Sequence, residues 1–104
     1  MRTELTEMAA VQARWLSMRQ EAVATNVANA SLPGFKAHAA PTFGAVLDDA
    51  RGTVPIDRAR AILPSGNTVD LAAQMIEGAD VGRAHALNSA ITGAFHRMAM
   101  MVSQ

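Results

Sequence analysis

The chain has 104 residues with nine basic and nine acidic side chains, so it is at most one domain and carries no net field toward nucleic acid or anionic lipid. Half of it is hydrophobic, but Ala supplies about a fifth of the residues and buries little each; aromatic side chains are few and seven Met offer soft packing instead. It contains no Cys, which excludes disulfides, thiol catalysis and Cys-ligated metal.

At the start, Met1-Arg2-Thr3-Glu4-Leu5-Thr6-Glu7-Met8 places acids where a cleavable signal peptide needs an apolar run. The chain is therefore expected to leave the cytoplasm, if it does so, without signal cleavage. No stretch has the roughly 18 apolar residues that open a membrane-span reading, so direct membrane insertion is not expected.

Residues from about 3 to 30 read as one helix. They hold no Pro or Gly, and Leu5, Met8, Val11, Trp15, Met18 and Ala22 recur by threes and fours. Its apolar arc, which also takes in Leu16, Val23 and Val27, is too wide for one partner helix. Gln12, Arg19 and Asn26 lie along one line inside that arc. They are either a snorkelling Arg and a helix-end Asn, or polar residues that fix the register of packed helices. After the helix, Pro33-Gly34 suits a type II turn.

From about 35 to 66 the chain holds Pro41, Pro55 and Pro64 with Gly44, Gly52 and Gly66 and shows no sustained period. It reads as an irregular, mobile arm. Thr53-Val54-Pro55-Ile56 and Ala61-Ile62-Leu63 are candidate extended pieces, and Phe43 with Leu47 suggests a helical turn over 42–49.

A second long helix is expected over about 68–101, capped by Asn67 or Thr68 with Asp70 in its first turn. Ala84, Leu87, Ile91, Ala94, Met98 and Met101 form a heptad-like seam. Gly78, Gly82, Ser89 and Gly93 lie opposite, where glycines in a helix suggest close helix approach, or else simple tolerance of a weak helix, with close approach favoured. The two helices would run roughly 40 and 50 Å at the α-helical rise, too long for a small globule.

No motif here carries chemistry. His85 and His96 would sit about 16 Å apart on one helix and cannot share an ion. His38 stands alone, and Asp48, Asp49 and Asp57 read as scattered surface charge. Ser65, Ser89 and Ser103 lie on no activating motif, and Asn29-Ala30-Ser31 is a glycosylation sequon by composition only. The sequence predicts no catalytic, cofactor-binding or metal residues and no cofactor. A subunit that works by packing its terminal helices against neighbouring chains is expected, rather than an enzyme.

The run from Arg19 to Ala37 resembles the N-terminal signature of flagellar basal-body rod and hook proteins. Asn26, Ala28, Asn29, Pro33, Gly34 and Lys36 match that signature, while Val27 and Phe35 keep the size or ring of its Ile and Tyr. Gly66-Asn67-Thr68-Val69-Asp70-Leu71 at the opening of the last helix resembles the proximal rod members of the flagellar basal-body rod protein family.

The resemblance implies an all-α unit, residues 1–104, whose terminal helices form an antiparallel pair or coiled coil. It implies copies assembled with themselves and with other rod and basal-body proteins to transmit motor torque, after passage through the type III export apparatus into the periplasm-spanning rod. The assembly motif it marks is Arg19, Asn26, Val27, Ala28, Asn29, Pro33, Gly34, Phe35, Lys36, Gly66, Asn67, Val69, Asp70 and Leu71. Trp15, Leu87, Ile91 and Met98 are read as helix-seam residues. A different rod subunit, or a free helical-hairpin adaptor or export-chaperone-like binder, is the competing reading.

Overall fold

A computed structural model describes residues 2–53 and 63–103. Helix α1 spans Arg2–Asn29, strand β1 Lys36–Ala39, helix α2 Phe43–Ala50, strand β2 Leu63–Thr68 and helix α3 Leu71–Val102. The architecture is all-α in its mass: α1 and α3, 28 and 32 residues long, lie against one another in a body 60 × 30 × 15 Å.

The pair is antiparallel. Gln12 meets Asn88 and Asn26 meets Gln74, so a step along α1 is matched by an equal and opposite step along α3. Leu16, Val23 and Val81 seal the interface, with Leu16 and Val81 almost fully buried. At Gly78 a Cβ would stand 3.4 Å from Val23 Cγ1, an ordinary van der Waals contact, so the helix approach does not depend on a glycine there. Gly82 faces open space, and a Cβ at Gly93 would meet only Arg97 of its own helix, so the glycines of α3 are tolerated in the helix rather than demanded by close approach.

The turn after α1 is as expected. Gly34 takes φ +77°, and the Phe35 N–H donates to the Leu32 carbonyl at 3.2 Å, closing a turn with Pro33 and Gly34 at its centre. Helix α2 confirms the turn read from Phe43 and Leu47. Its N-cap Thr42 accepts a 3.1 Å hydrogen bond from the Ala45 N–H. It closes with Gly52 at φ +75°, where Gly52 N–H donates to Asp49 and Thr53 N–H to Asp48, the paired bonds of a Schellman ending.

Two expectations need correction. The arm is not irregular where it is described: it carries β1, α2 and β2, with β1 and β2 paired antiparallel through Lys36↔Thr68, His38↔Pro64 and Ala39↔Leu63. The pairing is interrupted between Lys36 and His38, and Pro64 has no N–H for a ladder, which is why no strand period is visible. Leu63 is extended as expected, Thr53 instead closes the end of α2, and residues 54–56 and 61–62 of the two candidate extended pieces lie outside the described residues.

The second correction is the start of α3. It begins at Leu71, and its N-cap is Asp70, whose carboxylate accepts from the Ala73 N–H at 3.2 Å. Asn67 and Thr68 belong to β2 instead. An Asp with extended backbone immediately before the first helical residue satisfies an orphan N–H directly, which a residue two or three places earlier cannot reach.

Candidate assembly site

The line of Gln12, Arg19 and Asn26 faces α3, and each member finds a partner there. The Asn88 side-chain amide donates to Gln12 Oε1 at 2.9 Å and to the Ala9 carbonyl at 3.0 Å. Arg19 reaches Glu77 Oε1 at 3.3 Å, and its guanidinium sits 5.0 Å from the centre of the Trp15 ring. The Asn26 amide donates to Gln74 Oε1 at 3.0 Å. Asn26 is 1% exposed, so it is a satisfied core polar residue rather than a helix-end one. Arg19 is held over an aromatic ring and against a carboxylate rather than simply snorkelling.

Asn26 also holds the arm. Its Oδ1 accepts the His38 N–H at 2.6 Å, and its Nδ2 donates to the His38 carbonyl at 3.0 Å. One side chain thereby joins α1, β1 and α3. Further along α1, Trp15 Nε1 donates to the Pro41 carbonyl at 2.9 Å, and its ring meets Phe43 edge-on at 5.5 Å between centroids. Arg14 pairs with Asp49 at 2.7 Å, and the fully buried Val46 anchors α2. Trp15, read as part of a helix seam, thus serves α2 and the arm. Asp49, read as scattered surface charge, has a specific partner.

The rest of the assembly motif divides by face. Val27 and Ala28 point outward beside the inward Asn26, and Asn29 donates back to the Thr25 carbonyl at 2.8 Å within α1. Phe35 packs tilted against the His38 ring at 5.3 Å, while Lys36 is exposed on β1. Gly66 and Asn67 lie on β2, Val69 is half-buried, and Leu71 is 48% exposed at the start of α3.

The α3 seam does not face α1. Leu87, Ile91, Met98 and Met101 are 62, 42, 59 and 73% exposed, and Ile76 adds to the same flank. The side that does face α1 carries Gln74, Val81 and Asn88, a seven-residue ladder opposite that of Gln12, Arg19 and Asn26. The sequence reading missed it because the ladder is mostly polar. Its signal was the shared spacing of two polar-bearing ladders in two helices, which an apolar-period search passes over.

A cleft of about 250 Å³ opens where Trp15, Arg19, Asn26, His38 and Gln74 converge, but its two charged side chains, Arg19 and Glu77, are paired with each other. Among the described residues no group of three His, Asp or Glu side chains is placed to hold a metal ion. No helix described is long and apolar enough to cross a membrane.

No family model matches the sequence. A curated relative does: the chain is 34% identical to the flagellar basal body rod protein FlgB of Agrobacterium fabrum, over 94% of this chain and 91% of that protein. The chain belongs to the flagellar basal-body rod protein family. A place in the flagellar basal body as a structural rod subunit follows from that membership, and it accords with the two-helix body and the motif between Arg19 and Lys36.

Proposed function

We propose that this FlgB-like rod subunit is a non-catalytic building block that self-assembles and joins other axial proteins through the exposed apolar flank of α3. The observation that carries this reading is the flank itself. Leu87, Ile91 and Met98 recur by fours and sevens on a side of α3 that the chain's own α1 leaves uncovered, with Met101 and Ile76 extending it. Contiguous exposed apolar side chains of this kind mark a surface made for another protein.

In this reading the antiparallel pair is the stiff element, and neighbouring copies and rod proteins cover its outer face. Torque from the motor passes along the stacked pairs, and the proximal end of the rod is the expected position. The subunit reaches that position through the flagellar export apparatus, unfolded and with no signal peptide removed. Catalysis is not part of the role.

The test is complementation of a strain lacking the gene, scoring swimming, basal bodies and secreted protein together. Leu87→Asp should be secreted at normal levels yet restore neither rods nor motility, because it places an unpaired charge in every subunit contact. Wild-type swimming by that variant would overturn the reading.

A further inference from the structure

The backbone N–H and C=O of one strand residue point to the same edge of the strand. At His38 both are taken by one side chain, the Asn26 amide, at 2.6 and 3.0 Å. The primary amide has the same donor and acceptor pair as a peptide group, so Asn26 stands where a third strand would pair with β1. The other edge of β1 is occupied by β2. The second hydrogen of the same Nδ2 goes to Gln74 Oε1, which uses both donors of the amide.

The remaining attachments fall into two separate sets. When the Asn26–Gln74 rung is lost, the helix pair keeps Gln12 with Asn88, Arg19 with Glu77 and the buried Leu16, Val23 and Val81. Helix α2 keeps Trp15 with Pro41, Arg14 with Asp49 and Val46. Among the described residues, the side-chain hydrogen bonds from α1 to the β1–β2 ribbon are those of Asn26, beside the small buried Ala37.

We propose that Asn26 is a latch: it plugs the outer edge of β1, and its release opens the β1–β2 ribbon while the helix pair and α2 stay in place. This rests on the rod-subunit reading only for its setting, since the latch is a property of the single chain. Opening it uncovers the N–H and C=O of His38, the groups an incoming strand requires. The fold therefore holds a strand edge in reserve under one side chain.

The test is native-state hydrogen exchange on the full chain, with and without Asn26→Ala. In the wild type, the His38 amide should exchange at least about tenfold faster than that of Val81, by an opening that exposes little surface and so responds weakly to low denaturant. In Asn26→Ala, His38 and the other ribbon amides should speed up by a further factor of roughly ten, the equivalent of one or two net hydrogen bonds. Val81 exchange, helical circular dichroism and the emission of the single Trp15 should stay unchanged. As a control, Gln74→Ala should leave the ribbon amides unaffected.

Loss of the helical signal in Asn26→Ala would show a general core residue instead of a latch. Coincident exchange of His38 and Val81 in the wild type would overturn the proposal without any variant.

Discussion

Asn88 on α3 donates to both Gln12 Oε1 and the Ala9 carbonyl on α1, across 76 and 79 residues of sequence. This is one of three polar rungs described between α1 and α3, and Asn88 is only 8% exposed. Asn88→Ala removes the donor from both acceptors. Gln12 is exposed enough for water to replace the lost bond, so the cost should be near the lower end, about 1 kcal/mol. Urea denaturation checks it, with Ser89→Ala on the exposed side expected within about 0.5 kcal/mol of wild type.

The cap of α3 separates two assignments that differ by only a few residues. Asp70→Ala should cost about 1 kcal/mol of stability, the usual loss for an N-cap oxygen. Thr68→Ala should change the helical content far less, because Thr68 sits on β2. Thermal melts followed by circular dichroism decide between them. An equal loss at both positions would move the cap back toward the strand.

Val46 is fully buried where α2 meets α1. Val46→Asp leaves a charge without a partner in that contact and should detach α2, at a cost of several kcal/mol. The single Trp15 reports the event: released from Phe43 and Pro41, its emission should shift to the red. Arg14→Ala should have a small effect, at most about 1 kcal/mol, because the Arg14–Asp49 pair is partly solvated.

On α3, Ile91→Asp should scarcely alter the stability of the free subunit, since Ile91 is 42% exposed, yet it should prevent rod formation in complementation. His38→Ala, His85→Ala and His96→Ala, made singly, should each restore swimming. Loss of motility in the histidine variants alone would return chemistry to consideration.

The long helices, the Pro33-Gly34 turn and α2 were legible because each is written locally, in period, in caps or in a glycine placed after a helix end. The β1–β2 ribbon was not. Its residues, Lys36 to Ala39 and Leu63 to Thr68, include a Pro, a Gly and an Asn, and they are extended because Asn26 and a distant partner strand hold them so. The α3 seam was legible as a stripe, but periodicity does not say which stripe meets α1. Polar complementarity between Asn26 and Gln74, and between Gln12 and Asn88, selects the less apolar side and leaves the more apolar one outward.

The antiparallel match of α1 to α3 also sets an order of events. A chain made N-terminus first presents Leu16, Val23 and Asn26 long before Val81, Asn88 and Gln74 exist to meet them. Until the last third of the chain is present, α1 lacks its α3 partner and can close only on β1 and α2, and contacts as far apart in sequence as those between α1 and α3 form late. The topology itself therefore places the stiffening step last: the long two-helix body is completed only when nearly the whole chain is available to it.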